Sequence, residues 1–202
     1  MGLRPAYSRP LTTPVLPETD SHQPTAGRRG ARIAVLLLLA VVAVCVYVLD
    51  RVSKILVTQN LTPGRSLDVL GSVLRLHYVE NPGAAFSLGS GTTWLFAIIA
   101  AAVAVMIVVL ARHIRSLAWS VLFGLLLGGT LGNLTDRLTR PPSFGMGLVV
   151  DFLQVSLFPA IFNVADVAIT SSMAVLVILV IRGVRLDDTR AVRAPELASD
   201  GA

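Results

Sequence analysis

Apolar positions along the chain gather into four long runs, and the charged residues fall at their ends. Ile33 to Leu49 holds 17 residues without a charge, Thr92 to Ala111 and Ser116 to Thr135 hold 20 each, and a fourth run closes at Ile181. At 1.5 Å per residue, 20 helical residues reach about 30 Å, the thickness of a bilayer's hydrocarbon core. The pattern predicts four membrane-crossing helices. Between the first two, Val69 to Val79 alternates apolar and polar side chains, the period of a half-buried strand. The expected fold is therefore an all-α polytopic membrane protein with a small extracytoplasmic β-rich segment between helices 1 and 2. Residues 1–30 are rich in Pro, Ser, Thr, Gly and Arg, and residues 186–202 have little apolar periodicity. Both are read as disordered cytoplasmic tails flanking a membrane domain of residues 31–185.

Composition strengthens this reading. Hydrophobic residues make up 54% of the chain and charged residues only 14%, with a mean hydropathy of +0.74, too apolar for an ordinary soluble domain. The net charge of +5 does not point to nucleic acid, because the arginines flank apolar runs instead of forming one patch with aromatics. Arg28, Arg29 and Arg32 precede the first run, Arg112, His113 and Arg115 join the second to the third, and Arg182 and Arg185 follow the fourth. By the positive-inside rule all three sites are cytoplasmic, so both termini lie inside and segments 51–91 and 137–157 lie outside. A single cysteine, Cys45, excludes an internal disulfide, and its expected role is a buried apolar side chain. His22, His77 and His113 have no ligand-pair spacing, and no metal or other cofactor is expected.

Two carboxylates stand out against this background. Asp151 and Asp166 lie in GLVVDFLQVSLFPAIFNVADVAI, a stretch that otherwise reads as lipid-soluble, and an acid inside a span is a functional candidate when a partner can be named. Pro159 suits the first turn of the fourth helix, which places Asp166 about 10 Å below its outer end and Asp151 in the preceding loop. Each acid is then the other's partner near the outer boundary of the bilayer. Two desolvated carboxylates cannot comfortably both ionise, so they share a proton, and such a pair can activate water against a peptide bond.

Other polar residues are expected in supporting roles. Asp50 and Lys54, four apart, suit a structural ion pair, while Asp136 with Arg137 suits an interfacial pair anchoring the end of the third helix. Asn133 and Arg137 share a face of that helix, as do Asn163 and Asp166 on the fourth. Gly124, Gly128 and Gly132 repeat every fourth residue, a spacing that lets another helix come close. The run NPGAAFS, Asn81 to Ser87, suits a loop that approaches an extended peptide, with Phe86 closing over it, and equally a plain surface turn. Two other classes fit isolated features. Intramembrane acids also mark ion pathways, but only four helices and no inverted repeat argue against a transporter. A purely structural subunit would explain the glycines and leave both acids without a purpose.

Taken together, DRVSK at Asp50 to Lys54, NPGAAFS, GGTLGNLTDR ending at Arg137, VVDF around Asp151 and FNVADVAI from Phe162 closely resemble the lipoprotein signal peptidases, or signal peptidase II, with the five motifs in the family's order. The resemblance implies an aspartyl endopeptidase of the bacterial cytoplasmic membrane. Its substrate would be a lipid-modified prolipoprotein, cut on the N-terminal side of the diacylglyceryl cysteine while membrane lipid holds the acyl chains. It places Asp151 and Asp166 on the catalytic pair, and Asn81, Gly83, Asn133, Arg137 and Asn163 on positions that hold substrate or support the pair. Pro82 inside the second motif and the long run RLTRPPSFGMGLVVD depart from the family pattern and bear on the outer loop, not on the catalytic positions.

Overall fold

In the computed structural model, residues 25–71, 73–83 and 92–186 are described, with side chains from Arg29 onward. Four α-helices, α1 (Thr25–Asn60), α2 (Thr93–Ala111), α3 (Leu117–Thr139) and α4 (Val164–Ile181), surround and carry a four-stranded antiparallel sheet. The strands are β1 (Ser66–Leu70), β2 (Leu74–Asn81), β3 (Val149–Val155) and β4 (Ile161–Phe162), paired in that order. All four helices are long and apolar enough to cross a membrane, as the hydrophobic runs require. Phe86, expected to close over a bound peptide, lies outside the described residues, as do 1–24 and 187–202.

The helices are built inside out relative to a soluble bundle. Leu37, Val41, Val44 and Val48 on α1, Ile98, Val105 and Val108 on α2, and Val177, Val180 and Ile181 on α4 are exposed, which suits a lipid solvent. Polar groups face inward, with Asp50, Lys54, Ser120, Asp136, Asn163 and Ser172 all completely buried. Cys45 is exposed on α1, not buried as expected, because it shares the outward stripe of Val41, Val44 and Val48. Lipid tails are as apolar as leucine, so close packing and interior hydrogen bonds must hold such a bundle. Here α3 is the central helix, and its glycines let α1 and α4 come near. A Cβ at Gly128 would sit 2.6 Å from the Ala43 carbonyl oxygen on α1, and one at Gly129 would sit 2.6 Å from the Ala165 carbonyl oxygen on α4.

Three boundaries differ from the sequence reading. The first helix spans more than the uncharged run Ile33 to Leu49: it begins at Thr25, inside the segment read as a tail, and continues past Asp50, Arg51 and Lys54 to Asn60, where Arg51 and Lys54 meet Asp136 of α3 and Asp50 meets Lys54 and the Ala165 N–H of α4. The sheet draws on both outer segments, not one: β2 pairs with β3, with Val79 opposite Asp151 and Leu76 opposite Leu153. Asp151 is therefore a strand residue. Finally, α4 starts at Val164, not near Pro159, since Ile161 and Phe162 extend to pair with Gln154 and Leu153 and Asn163 caps the helix. Asp166 then falls in the first turn instead of two turns down.

The sheet rests on the C-terminal end of α1. Val57 packs with Tyr78, Val150 and Phe152 in a small core, flanked by Leu61, Leu76, Leu153 and Val164. A larger core joins the helices themselves through Leu39, Ile107, Leu122, Phe123 and Leu179. At the opposite end Leu186 still packs against the bundle, and its carbonyl accepts from the Arg115 N–H at 3.1 Å.

Candidate active site

Where the sheet meets α3 and α4, a cavity of about 850 Å³ opens, and its wall includes Asp151, Asp166, Asn133, Arg137, Asn81 and Gly83. Phe96, Ile99 and Val103 of α2 and Leu126 and Ile169 supply apolar lining. The two aspartates thus reach one cavity from different elements. Asp151 comes from the middle of β3, while Asp166 comes from the first turn of α4.

Local geometry explains why each carboxylate is held. At the start of α4 the Asn163 Oδ1 accepts the Asp166 N–H at 2.9 Å, and Asp166 Oδ2 accepts the Asn163 N–H at 3.1 Å. This reciprocal cap satisfies two N–H groups that a helix end leaves open. A third is taken from outside the helix, since Ala165 N–H donates to Asp50 Oδ1 of α1 at 2.9 Å. The acid on α1 therefore pins the helix that carries Asp166.

Asparagine amides bracket both acids. Asn163 Nδ2 donates to Asp151 Oδ1 at 2.7 Å, and Asn81 Nδ2 donates to Asp151 Oδ2 at 2.8 Å. The Asn81 amide is itself oriented, because its oxygen accepts the Gly83 N–H at 2.9 Å. On the other side Asn133 Nδ2 donates to Asp166 Oδ1 at 2.8 Å. Burial, and after it the neighbouring charge of Asp166, pushes the Asp151 carboxyl up to about 7, against the lowering effect of the Asn81 and Asn163 hydrogen bonds.

Asp136 and Arg137 do not form the expected pair. Neighbouring residues on a helix point about 100° apart, and here they serve different places. Asp136 turns toward α1, where it meets Arg51 and Lys54 as well as Arg140 one turn on, and it also accepts the Val150 N–H at 3.4 Å. Arg137 turns toward the cavity. Its Nη2 donates to the Gly83 carbonyl at 2.6 Å, and its guanidinium lies 5.3 Å from the Phe96 ring centroid. Its Nη1 is buried with no hydrogen-bond partner among the described residues. The Asp50–Lys54 pair forms as expected, at 2.8 Å.

Phe96, the Asp50 cap on α4 and the bond from Lys54 to Asn133 were not foreseen from the sequence. Phe96 gives no signal within an apolar run. The other two had one: charges at helical spacing inside a span must find interior partners, although the sequence does not say which.

A four-span membrane protein that sets two acids on one cavity wall falls in the class of polytopic membrane proteins with an internal polar site. The particular family follows from comparison with known proteins. The family model described as Signal peptidase (SPase) II matches residues 42–182. A lipoprotein signal peptidase of Leifsonia xyli is 51% identical over 181 residues, covering 90% of this chain and 84% of that protein. One from Streptomyces coelicolor is 46% identical over 165 residues, covering 82% and 78%. Two solved structures, each titled as a bacterial membrane enzyme, are 29% identical. They superpose with TM-scores of 0.64 and 0.61, covering 76% and 75% of this chain and 88% and 92% of theirs. The chain belongs to the signal peptidase II family, and it is a multi-pass membrane peptidase.

Proposed function

We propose that this peptidase removes the signal peptide from lipid-modified prolipoproteins, with Asp151 and Asp166 as the catalytic pair and water as the nucleophile. The observation that carries the reading is the convergence of the two carboxylates, from β3 and from α4, on the wall of one cavity, each fixed by asparagine amides. Asp151, pushed up to about 7, carries the shared proton at the acid side of neutrality. Asp166 takes a proton from the attacking water. Asp151 donates to the developing oxyanion, and the pair then delivers a proton to the leaving amine.

Arg137 fits a substrate-holding role. Arg137 lines the cavity and its Nη1 has no hydrogen-bond partner among the described residues, so a small turn of the guanidinium lets it donate to a main-chain carbonyl of an extended peptide. Asn81 and Gly83 stand on the cavity wall beside the place that peptide would take. The apolar lining from α2, α3 and α4 suits a signal peptide, and a diacylglyceryl group partitions into lipid at about 0.8 kcal/mol per methylene, which keeps the modified cysteine near the membrane boundary.

The basic residues give the orientation. Arg112, His113 and Arg115 between α2 and α3, and Arg182 and Arg185 after α4, are retained on the cytoplasmic side. The opposite ends of the helices carry the sheet and the cavity, so the site lies near the outer face of the bacterial cytoplasmic membrane, with both termini inside.

The experiment is cleavage of a diacylglyceryl-modified prolipoprotein by purified protein, followed by gel shift, with the unlipidated precursor as control. Wild type should cut only the lipidated form, and Asp151→Asn and Asp166→Asn, both folded, should lose at least about 100-fold in rate. Near-normal turnover by either variant would overturn the two-aspartate mechanism.

A further inference from the structure

Lys54 lies on α1, completely buried and away from the cavity lining. An ammonium has three N–H bonds and no acceptor, and the structure gives it three oxygens. Two belong to acids, Asp50 Oδ2 at 2.8 Å and Asp136 Oδ2 at 2.9 Å. The third is Asn133 Oδ1 at 2.9 Å. Packing and charge balance account for the first two bonds, but the third does something else.

A primary amide is nearly symmetric in shape and opposite in chemistry at its two ends, so a half-turn of Asn133 would exchange a donor for an acceptor. Only an oxygen can face Lys54. Asn163 Nδ2 reaches the same Asn133 Oδ1 at 3.2 Å, so two donors converge on it. The Asn133 NH2 is thereby turned away from α1 and onto Asp166 Oδ1, at 2.8 Å. In the flipped orientation the amide oxygen would confront the Asp166 carboxylate, acceptor against acceptor, while its NH2 confronted Lys54 and the Asn163 NH2.

We propose that Lys54 is a positioning residue for the peptidase reaction, a fixed donor that locks the Asn133 amide with its NH2 on Asp166 and, through the shared oxygen, keeps Asn163 aimed at Asp151. The inference rests on the reading of Asp151 and Asp166 as the catalytic pair. Four hydrogen bonds then run without a break from Lys54 through Asn133 to Asp166, and through Asn163 to Asp151. Lys54 does not itself line the cavity and reaches it only through Asn133, so it acts on turnover and not on substrate binding. Its charge also bears on the pair, together with Arg137 and Asp136 of α3, Asp50 of α1, and the two acids themselves. It opposes the burial and the Asp166 charge that hold Asp151 up.

The test is a double-substitution cycle on cleavage of the lipidated precursor, with Lys54→Met, Asn133→Ala and the two combined. Expected for Lys54→Met is a fall in kcat of about 10- to 100-fold, the range seen when an outer partner that orients a site residue is removed. KM should stay within about two-fold, and the bell of kcat against pH should move to higher pH. The combined variant should be no worse than Asn133→Ala alone, because a residue that acts through another is not additive with it. A lysine of purely structural importance would instead reduce the yield of folded protein, leave the bell where it is and multiply with Asn133→Ala. If Lys54→Met does not fold, Lys54→Met with Asp50→Asn removes the buried acid that would lack a counter-charge, since Asp136 keeps Arg51 and Arg140, and the same cycle is run in that background. Full kcat, an unmoved bell or multiplicative effects would overturn the role of Lys54. Asp151→Asn in the same assay separates the two readings: if it is dead while Lys54 fails these criteria, the dyad stands and only the positioning role falls, whereas an active Asp151→Asn removes the dyad itself.

Discussion

Asp151→Asn should flatten the pH dependence of stability as well as stop catalysis. In the folded protein burial and the Asp166 charge raise this carboxyl from 3.8 to about 7, so across that window the folded state keeps a proton that the unfolded chain has released. The folded state binds more protons, and stability therefore falls as pH rises from about 4 to about 7, then levels off. The whole window is worth about 4 kcal/mol, and the part between pH 5 and pH 8 about 3 kcal/mol. An amide in place of the carboxylate does not titrate, but its NH2 meets one of the two donors, Asn81 Nδ2 or Asn163 Nδ2, at a cost of about 1–3 kcal/mol at every pH. Wild type and variant should thus be close in stability near pH 5, with the variant the more stable at pH 8. The assay is thermal unfolding in one detergent from pH 5 to pH 8. Wild type should lose roughly 6–12 °C more in Tm than the variant over that range, at about 2–4 °C per kcal/mol for a chain of this size. Titrating groups away from the two acids are common to both proteins and cancel in the difference. Parallel curves would refute the raised carboxyl and with it the assignment of Asp151 as the proton-bearing member.

Three further outcomes test the surrounding structure. Gly129→Ala should cost about 1–3 kcal/mol by forcing α3 from the Ala165 carbonyl and should reduce cleavage, whereas Gly30→Ala, with nothing within 4 Å, should leave melting and activity unchanged. Asn163→Ser should keep most of the helix cap lost in Asn163→Ala, about 1 kcal/mol, but neither variant should recover turnover, because a serine hydroxyl does not carry the amide that spans to Asp151; comparing Tm with kcat separates the two jobs. Arg137→Lys keeps the charge but loses the fork that reaches the Gly83 carbonyl, so KM should rise several-fold in steady-state cleavage while Tm changes little.

Much of the fold was legible because membrane thickness leaves little freedom. A 20-residue uncharged run has one economical solution in lipid, and the four runs became four helices. Asp151 and Asp166 were legible for the related reason that buried acids are costly and two of them together suggest mutual use. What could not be read were the partners of groups whose spacing fits several neighbours. Asp136 sits next to Arg137 in sequence, yet helix geometry sends one to Lys54 and the other to Gly83. The start of α4 was misplaced because Pro159 is acceptable in a first turn, while the competing pairing of Ile161 and Phe162 with β3 depends on a strand whose alternation is hidden by the continuous apolar run around it. The sheet was half seen for the same reason: β2 alternates visibly, but Val149, Val150, Asp151 and Phe152 are all buried, and a strand covered on both faces has no polar beat.

The sheet that carries Asp151 is seated on α1 through Val57, Tyr78, Val150 and Phe152, while the helix that carries Asp166 is tied to α1 separately through Asp50. The gap between the two acids is thus a hinge measurement, taken between two arms bolted to one beam. A substitution that loosens the apolar seam around Val57 would shift Asp151 relative to Asp166 and strain the Asn163 to Asp151 bond, although Val57 itself does not line the cavity. Turnover would then respond to a position that no bound precursor touches.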